Sequence, residues 1–503
     1  MNKSLRAILS LSWQSVAYGI GVLGSQLIIY VTLPFLTRYM PREEYGVVSV
    51  ITALYTLLNT LTNAGLPAAT YRFYNDTQNE RERQFILGGS QFLFMSFAVI
   101  PAAVILIFPE AASVLLLGSD RYRLVLQVVA CFLIVDTFDT YGTVLLRLDV
   151  RALVSSGHSI ILIACKTGLA LLFVIKYDMG VLGYWLGQLA GECIGFLIMA
   201  WLVRKKISFK ISWHQIWDLL KFGLPLLPAT FSTTFLKLAD RYIVGSLAGL
   251  DQVAIYDVGY KIGSIILILI TPFRAAWTPF AFSIAQKPEA PRVYRDVLTY
   301  LTAGCSFLIL GVYAFRSEIV GIMAPASYRE AANVVGFVAL AQLFYTAYLV
   351  LSIGPMIKKQ THQLAWIAVI AGIASLLLNF ILIPIIGILG AAVALLVGYA
   401  LLAFLAYFTS RRSIDMTIDW ERMRQLAVAI GLVLLVILMA EQLELRTWVE
   451  IAVKVIGLLA FPVLLFLTKF VNSTQTKELM DMTRNIVGKK FTTKSVDEFN
   501  DSV

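Results

Sequence analysis

Three charged side chains interrupt the apolar stretch FLKLADRYIVG, residues 235–245. Lys237, Asp240 and Arg241 have the spacing i, i+3 and i+4, so a helix would carry them on one face, where the carboxylate can neutralise one cation. An ionisable group at membrane depth costs from about 3 to over 10 kcal/mol, and it therefore needs a partner, water or a function. Charges of this kind are the first candidates for chemistry in this sequence.

Further ionisable side chains fall in stretches that are apolar enough to lie within a membrane. The full set consists of the basic residues Lys166, Lys237, Arg241, Lys261, Arg274 and Lys454 and the acidic residues Asp136, Asp139, Glu192 and Asp240. The basic groups outnumber the acidic ones in this set, which favours a cavity that binds anions.

Two of the lysines, Lys237 and Lys261, reach similar depth on neighbouring predicted helices at about 1.5 Å per residue. Their ammonium groups would repel each other in a low dielectric unless an anion joins them, and a phosphate supplies such an anion. In the alternative, Lys237 pairs with Asp240 or with the partner of Arg241, and Lys261 extends to the membrane interface. Lys454 is expected either to extend to the interface or to line a lipid groove.

The elements that would position these charges are membrane helices. The chain has 503 residues, of which 59% are hydrophobic and 14% charged, with a mean hydropathy of +0.78. A soluble domain would carry roughly 25% charged residues. The four cysteines all fall in apolar stretches and the three histidines are scattered, so neither set has the spacing of a metal site. No metal and no cofactor are expected.

Windows of about 19 residues predict fourteen membrane-spanning helices and hence an all-α integral membrane protein. With the N-terminus in the cytoplasm, the inner loops and tails collect most of the 41 lysines and arginines, which places both termini inside. The net charge of +10 is mostly a signal of this topology, and it gives no reason to expect a nucleic-acid partner. The predicted spans lie near residues 13–36, 46–70, 87–108, 123–146, 153–175, 180–203, 219–246, 252–275, 297–315, 332–354, 364–384, 387–409, 424–441 and 446–468.

The two halves of the sequence share a pattern at a constant offset of six spans. Gly180, Gly183, Gly191 and Arg204 correspond to Gly387, Gly390, Gly398 and Arg411. Chance recurrence of glycine is the alternative. A parallel repeat predicts two six-helix lobes around a central cavity, with a substrate path at their interface. The predicted parts are an N-terminal lobe at 1–211, a C-terminal lobe at 212–412, two accessory helices at 413–470 and a cytoplasmic tail at 471–503.

Asp136, Lys166 and Glu192 lie at similar depth in predicted spans four, five and six. This shared depth predicts an ion-pair cluster, which is either structural or closes over the cavity. Carboxylates at this depth can also take up a proton or a sodium ion. Glu192 and Asp139 are candidates for such coupling, and Asp240 is grouped with them as a gate or coupling residue.

The arrangement of six, six and two spans, with the turns TRYMPREEYG at 37–46 and LADRYIVGSLAGLDQVAIYDVGYK at 238–261, resembles the polysaccharide transporter family of the multidrug/oligosaccharidyl-lipid/polysaccharide superfamily. The resemblance implies a flippase that moves an undecaprenyl-diphosphate-linked oligosaccharide to the outer leaflet of a bacterial inner membrane. The unit carried would belong to an O-antigen, a capsule or an exopolysaccharide. A monomer is expected to function, with a glycan polymerase or chain-length proteins as candidate partners and H+ or Na+ as candidate coupling ions.

Five cations are predicted to bind the diphosphate or the glycan: Lys237, Lys261, Arg241, Arg72 and Arg274. Arg72 and Arg274 lie at the inner ends of predicted spans two and eight, where a headgroup would enter, although each is equally well explained as a positive-inside anchor. Lys237 has no charged counterpart in the first lobe. It is therefore the leading candidate for phosphate binding.

Two other functions compete with the flippase. A multidrug antiporter of the same superfamily would have the same fold but would favour an acidic cavity. A glycan polymerase or ligase would need catalytic residues on a large loop or soluble domain, and the predicted connections are too short to form one. The sequence therefore predicts a transporter without catalytic residues.

Overall fold

The structure, a computed structural model, describes residues 24, 26–149, 151–443, 446–468 and 470. These described residues form helices, turns and irregular segments and contain no β-strand, which confirms the all-α class. The first part of predicted span one and the predicted cytoplasmic tail at 471–503 lie outside the described residues.

The first eight helices occupy the region predicted as the N-terminal lobe. They are α1 (26–39), α2 (Arg42–Asn63), α3 (Leu66–Asp76), α4 (Glu80–Ile107), α5 (Pro109–Leu117), α6 (Arg123–Leu148), α7 (Ala152–Ile175) and α8 (Gly180–Val203). A 3-10 turn, Asp120–Tyr122, leads into α6.

Twelve further helices follow. They are α9 (Trp213–Gly223), α10 (Leu227–Ala248), α11 (Leu250–Gly263), α12 (Leu267–Ile284), α13 (Ala290–Ala314), α14 (Arg316–Met323), α15 (Ala331–Leu351), α16 (Ile353–Ile357), α17 (Thr361–Ile386), α18 (Ile388–Ile414), α19 (Trp420–Gln442) and α20 (Thr447–Leu467). Two 3-10 turns, Leu224–Leu226 and Ala326–Tyr328, precede α10 and α15.

Twelve helical stretches of the described chain are long and apolar enough to cross a membrane, and a thirteenth is counted when the bent pair Trp213–Leu226 and Thr230–Ala248 is taken as one span. Each predicted span from the second to the fourteenth overlaps one of them. The predicted first span starts before the described residues. The polytopic architecture expected from the hydropathy is thus confirmed.

Four of the predicted spans contain a helix break: spans two and ten, after Asn63 and Leu351, and spans seven and eight. The pair in span seven meets at 51°, next to Pro225 and Pro228, because proline cannot donate a backbone hydrogen bond and clashes with the preceding turn. The boundaries predicted for span eight, 252–275, are wrong, since α11 ends at Gly263 and α12 begins at Leu267. The intervening residues 264–266 contain no proline or glycine that would reveal this break.

A tight backbone contact joins the turn between α2 and α3 to the end of α9. Ala64 and Gly65 both adopt the left-handed conformation, with φ of 38° and 70°. A Cβ atom on Gly65 would lie 2.5 Å from the carbonyl oxygen of Gly223, so only glycine allows this approach. The contact holds two regions predicted to belong to different lobes against each other.

The glycines of the sequence repeat occupy equivalent places. Gly180 and Gly387 have φ of 53° and 61° immediately before or at the start of α8 and α18. One turn later, Gly183 and Gly390 face the carboxyl-terminal parts of α7 and α17 at distances that leave no room for a side chain. A duplicated unit would have this geometry, and the division into lobes at 1–211 and 212–412 stays a prediction.

The chain separates into two compact units. The first contains the described residues up to Leu298 together with Phe315–Thr417, and within it α2 packs against both α10 and α11. The second contains Thr299–Ala314 and the described residues from Ile418 onward.

Within the second unit, Lys454 is only 2% exposed, and its Nζ lies 2.8 Å from Glu450 and 3.7 Å from Glu441. These carboxylates lie in the last turn of α19 and the first turn of α20, so they neutralise the ammonium group near the ends of both helices, and the expectation that Lys454 extends to the interface stays a prediction.

Candidate functional site

A cavity of about 370 Å³ lies between α1, α7 and α8 in the first unit. Two of the described residues that line it are charged: Lys166 on α7 and Lys261 on α11. The remaining wall is mostly apolar with a few amide and hydroxyl groups. It is formed by Gln26, Ile28, Ile29, Thr32, Leu33, Leu36, Ile163, Thr167, Ala170, Leu171, Tyr184 and Gln188.

Lys166 is held in an ion cluster, here called the Lys166 cluster, with Asp136 of α6 and Glu192 of α8. Its Nζ lies 2.7 Å from Glu192 Oε2 and 3.7 Å from Asp136 Oδ1. Asn59 of α2 donates a hydrogen bond of 2.9 Å to Asp136 Oδ2, and the lysine nitrogen lies 4.6 Å from the centroid of the Phe132 ring. The three side chains that were predicted to lie at one depth do meet. Asn59 is a further member of the cluster that was not predicted from the sequence.

Asp139 lies one helical turn from Asp136 but belongs to a different contact. One of its carboxylate oxygens, Oδ1, lies 3.2 Å from Nε2 of His158, and the same imidazole nitrogen lies 3.1 Å from the carbonyl oxygen of Gly195. Both side chains are buried. No partner for His158 could be predicted from the sequence, because the pair depends on how α6 and α7 pack against each other.

Arg241 is the centre of a second buried cluster, here called the Arg241 cluster, with Asp240, Asp257 and Lys261. The guanidinium lies 3.1 Å from Asp240 Oδ1 and donates a 3.1 Å hydrogen bond from Nε to Asp257 Oδ1. The second oxygen of Asp257 lies 2.8 Å from Lys261 Nζ. Lys261 therefore has a carboxylate partner, and the expectation that it extends to the interface is wrong.

Tyrosines complete the Arg241 cluster. Tyr45 of α2 donates a 3.0 Å hydrogen bond to Asp257 and accepts one of 2.8 Å from Lys261. Tyr256 donates a short hydrogen bond to Asp240. Because Tyr45 comes from α2, this cluster ties the two predicted lobes together.

Asp257 is the acidic residue that the sequence reasoning missed. It lies four residues before Lys261, a spacing at which a carboxylate and an ammonium group meet on a helix. Its presence reduces the basic excess among the intramembrane charges. The charge balance alone therefore discriminates poorly between an anion-binding and a cation-binding cavity.

Lys237 lies outside the cavity wall. Its Nζ donates a 3.1 Å hydrogen bond to the hydroxyl of Tyr345 and lies 4.4 Å from the centroid of that ring. In the described part of the chain it forms no ion pair, so the alternative in which Asp240 neutralises it is wrong. Asp240 is bound instead by Arg241 and Tyr256.

The two arginines predicted at the inner ends of spans are exposed. Arg72 lies 3.7 Å from Asp76, and its guanidinium carbon lies 4.8 Å from the centroid of the Phe222 ring. Arg274 lies on α12. Of the five cations predicted to bind substrate, Lys261 is the one found among the cavity-lining residues, and Lys166, predicted as a gate residue, is the second cation there.

Comparisons with known proteins agree with this architecture. Solved structures with the same fold include the lipid II flippase MurJ in an inward closed conformation, with a TM-score of 0.73 and 13% identity over 90% of this chain and 99% of that one. An inward-facing multidrug resistance MATE family transporter of the MOP superfamily has a TM-score of 0.65 and 14% identity over 78% and 94%.

Sequence relatives point to the same family. The probable low-salt glycan biosynthesis flippase Agl15 of Haloferax volcanii is 23% identical over 199 residues, which are 39% of this chain and 41% of that protein. Residues 12–285 match the family described as polysaccharide biosynthesis protein. This match covers more than half of the sequence and confirms the predicted relationship: the chain is a multi-pass membrane protein that belongs to the polysaccharide biosynthesis protein family.

Proposed function

We propose that this protein is a flippase that moves an undecaprenyl-diphosphate-linked oligosaccharide from the cytoplasmic to the periplasmic leaflet by alternating access. Membership of the polysaccharide biosynthesis family, a glycan flippase among its relatives and a transporter fold support this proposal.

The observation that carries the proposal is the pair of lysines at the cavity wall. Lys166 comes from the first half of the sequence repeat and Lys261 from the second. The ammonium group of Lys166 lies 2.7 Å from Glu192, and that of Lys261 lies 2.8 Å from Asp257. A diphosphate that enters the cavity can compete with those carboxylates, since ammonium groups bind phosphate as point charges. Gln26, Gln188 and Thr167 offer hydrogen-bonding groups for sugar hydroxyls.

Substrate binding at Lys166 has a consequence for its carboxylates. If a phosphate takes the ammonium group, Glu192 and Asp136 lose their counter-charge in a buried environment, which is unfavourable. Uptake of a proton or a sodium ion by these carboxylates would relieve the cost. This linkage supports coupling of transport to an ion gradient through the Lys166 cluster.

Alternating access requires contacts that break at either end of the cavity. At one end, Arg38 of α1 donates a 2.8 Å hydrogen bond to the carbonyl oxygen of Ile322 in α14, and Arg42 of α2 donates one of 3.3 Å to that of Ser327. At the other end, Gly65 packs on Gly223. We assign these as the periplasmic and the cytoplasmic gate on the predicted orientation, in which the lysine and arginine distribution favours both termini in the cytoplasm.

The test is transport by the full-length protein in proteoliposomes with a fluorescent undecaprenyl-diphosphate oligosaccharide. Lys261→Ala and Lys166→Ala are each expected to lower the rate by about tenfold or more, because each removes a charged hydrogen-bonding partner of the diphosphate. Lys205→Ala, at an exposed position outside the cavity wall, is the matched control and should transport like the unmodified protein.

Three outcomes would contradict the proposal. If both cavity variants transported the glycan as fast as the unmodified protein, the two lysines would not form a substrate site. Failure to move any prenyl-diphosphate glycan, together with export of organic cations, would favour a multidrug antiporter. Elongation or transfer of the glycan would favour a polymerase or ligase.

A further inference from the structure

A second cavity, of about 460 Å³, lies far along the sequence from the Lys166 and Arg241 clusters, where α17 begins and α18 ends. Gln360 lines it from just before α17, Gln363 and Trp366 line it from the first turns of α17, and Thr409, Arg412 and Ser413 line it from the last turns of α18. The two walls are joined by a 3.2 Å hydrogen bond from Ser413 Oγ to Gln360 Oε1. This arrangement forms a polar pocket at the end of two membrane-spanning helices.

The charge around this pocket is strongly positive. Lys358 and Lys359 precede α17, Arg411 and Arg412 end α18, and all four side chains are exposed. Within the described residues none of these cations forms an ion pair. Of the carboxylates that follow in the sequence, Asp415 is exposed, Asp419 pairs with Arg422 and Glu421 pairs with Arg424, and none of them lines the pocket. The pocket therefore offers unneutralised positive charge to a ligand.

The backbone adds to this preference for an anion. The residue before α17, Gln360, makes no side-chain capping hydrogen bond, so the first amide groups of a 26-residue helix have no side-chain acceptor there. Such a helix start carries partial positive charge and favours anions. It opens into the same pocket as Arg412.

The position of Trp366 gives the depth of the pocket in the membrane. The side chain is 66% exposed and lies near the start of the apolar stretch His362–Ile386. Tryptophan is enriched at the level of the lipid headgroups. A ligand in this pocket would thus lie at the height of the phosphate groups of the bilayer.

We propose that this pocket binds the phosphate group of an anionic membrane lipid, with Arg412 as the charged partner and Gln363, Thr409 and Ser413 as polar contacts. Basic pockets between membrane helices on the cytoplasmic side are suited to such headgroups. The site is separate from the transport cavity. Its existence does not depend on which substrate the protein moves.

The test titrates the full-length protein in detergent with phosphatidylglycerol, phosphatidylcholine or inorganic phosphate and counts bound molecules by native mass spectrometry. Arg412→Gln is expected to weaken phosphatidylglycerol binding by about tenfold or more, because it removes a charged hydrogen-bonding partner. Arg411→Gln has the same net charge and alters an exposed neighbour that does not line the pocket. It should stay within about threefold of the unmodified protein.

A second variant separates the pocket from general surface charge. Thr409→Phe keeps all four cations but fills the space between the helices, and it should lose phosphatidylglycerol binding as Arg412→Gln does; unchanged melting temperatures show that both variants are folded. Equal losses in Arg411→Gln and Arg412→Gln, or equal binding of phosphatidylcholine, would overturn the proposal. If Arg412→Gln weakened only the binding of inorganic phosphate, the lipid as the source of the phosphate would be wrong.

Discussion

The Lys166 cluster and the Arg241 cluster each place a lysine at the wall of the same cavity, yet they balance charge differently. In the first, one lysine faces two carboxylates, and Asn59 binds one of them. In the second, Arg241 and Lys261 face Asp240 and Asp257, so cations and carboxylates are equal in number. An excess of carboxylate favours uptake of a cation, whereas a balanced and fully hydrogen-bonded set favours a fixed geometry.

The helices that contribute to each cluster support the same division. The ionised members of the Lys166 cluster come from three consecutive helices of the predicted first lobe, α6, α7 and α8. The Arg241 cluster combines α10 and α11 with Tyr45 of α2. We therefore expect the Arg241 cluster to stabilise the packing of the two lobes and the Lys166 cluster to respond to ions.

The largest effect is expected from Arg241→Ala. This change leaves Asp240 and Asp257 buried with Lys261 as the only remaining cation of the cluster, and breaking a buried ion pair in this way costs about 3–5 kcal/mol. The thermal unfolding of the purified protein in detergent measures it. The matched control is Arg204→Ala, an exposed arginine at the end of α8. A melting temperature unchanged from that of the unmodified protein would mean that the cluster does not hold the lobes.

A different kind of effect is expected from Glu192→Gln. The amide keeps the shape of the fully buried side chain but cannot take up a proton or a sodium ion, so the variant should fold and lose the dependence of its transport on the gradient. One pH unit corresponds to about a tenfold change per coupled proton, and this is the response that should disappear. Transport in proteoliposomes with and without a pH or sodium gradient measures it.

Asp139→Asn is the control for this comparison. Asp139 lies on α6 and is a buried carboxylate like Glu192, but it contacts His158 instead of Lys166. A gradient response that survives in Glu192→Gln and is lost in Asp139→Asn would move the coupling site from the Lys166 cluster to the pair of Asp139 and His158.

The sequence predicts how deep a charged residue lies in the membrane much better than it predicts which neighbouring helix that residue faces. The common depth of Asp136, Lys166 and Glu192 could be read by counting residues from the ends of predicted spans, and the contact follows from it. The rotation of each helix about its axis could not be read, because hydropathy in a membrane marks lipid and protein contacts alike. Lys237 was for this reason placed with Lys261, whereas it packs against Tyr345 of α15.

The internal breaks show a related limit. The bend in span seven has prolines beside it and could be anticipated, but the interruption after Gly263 has no proline at residues 264–266 that would indicate it. Asp257 was available in the sequence at four residues from Lys261. It became meaningful only when Arg241 and Tyr45 were seen to bind the same carboxylate.

The smallest effect is expected at the edge of the Arg241 cluster, in Tyr345→Phe. Arg241 donates a 3.0 Å hydrogen bond to the carbonyl oxygen of Lys237, so the backbone of Lys237 belongs to the cluster while its side chain turns to Tyr345. Removing the Tyr345 hydroxyl costs one hydrogen bond, about 0.5–1.5 kcal/mol, and leaves the ring contact with the lysine intact. Thermal unfolding measures the loss, and Tyr348→Phe serves as the control on the same helix. If Tyr345→Phe instead lowered glycan transport as strongly as Lys261→Ala, then Lys237 would bind substrate together with Lys261, and the binding site would extend from Lys261 across the Arg241 cluster to Lys237.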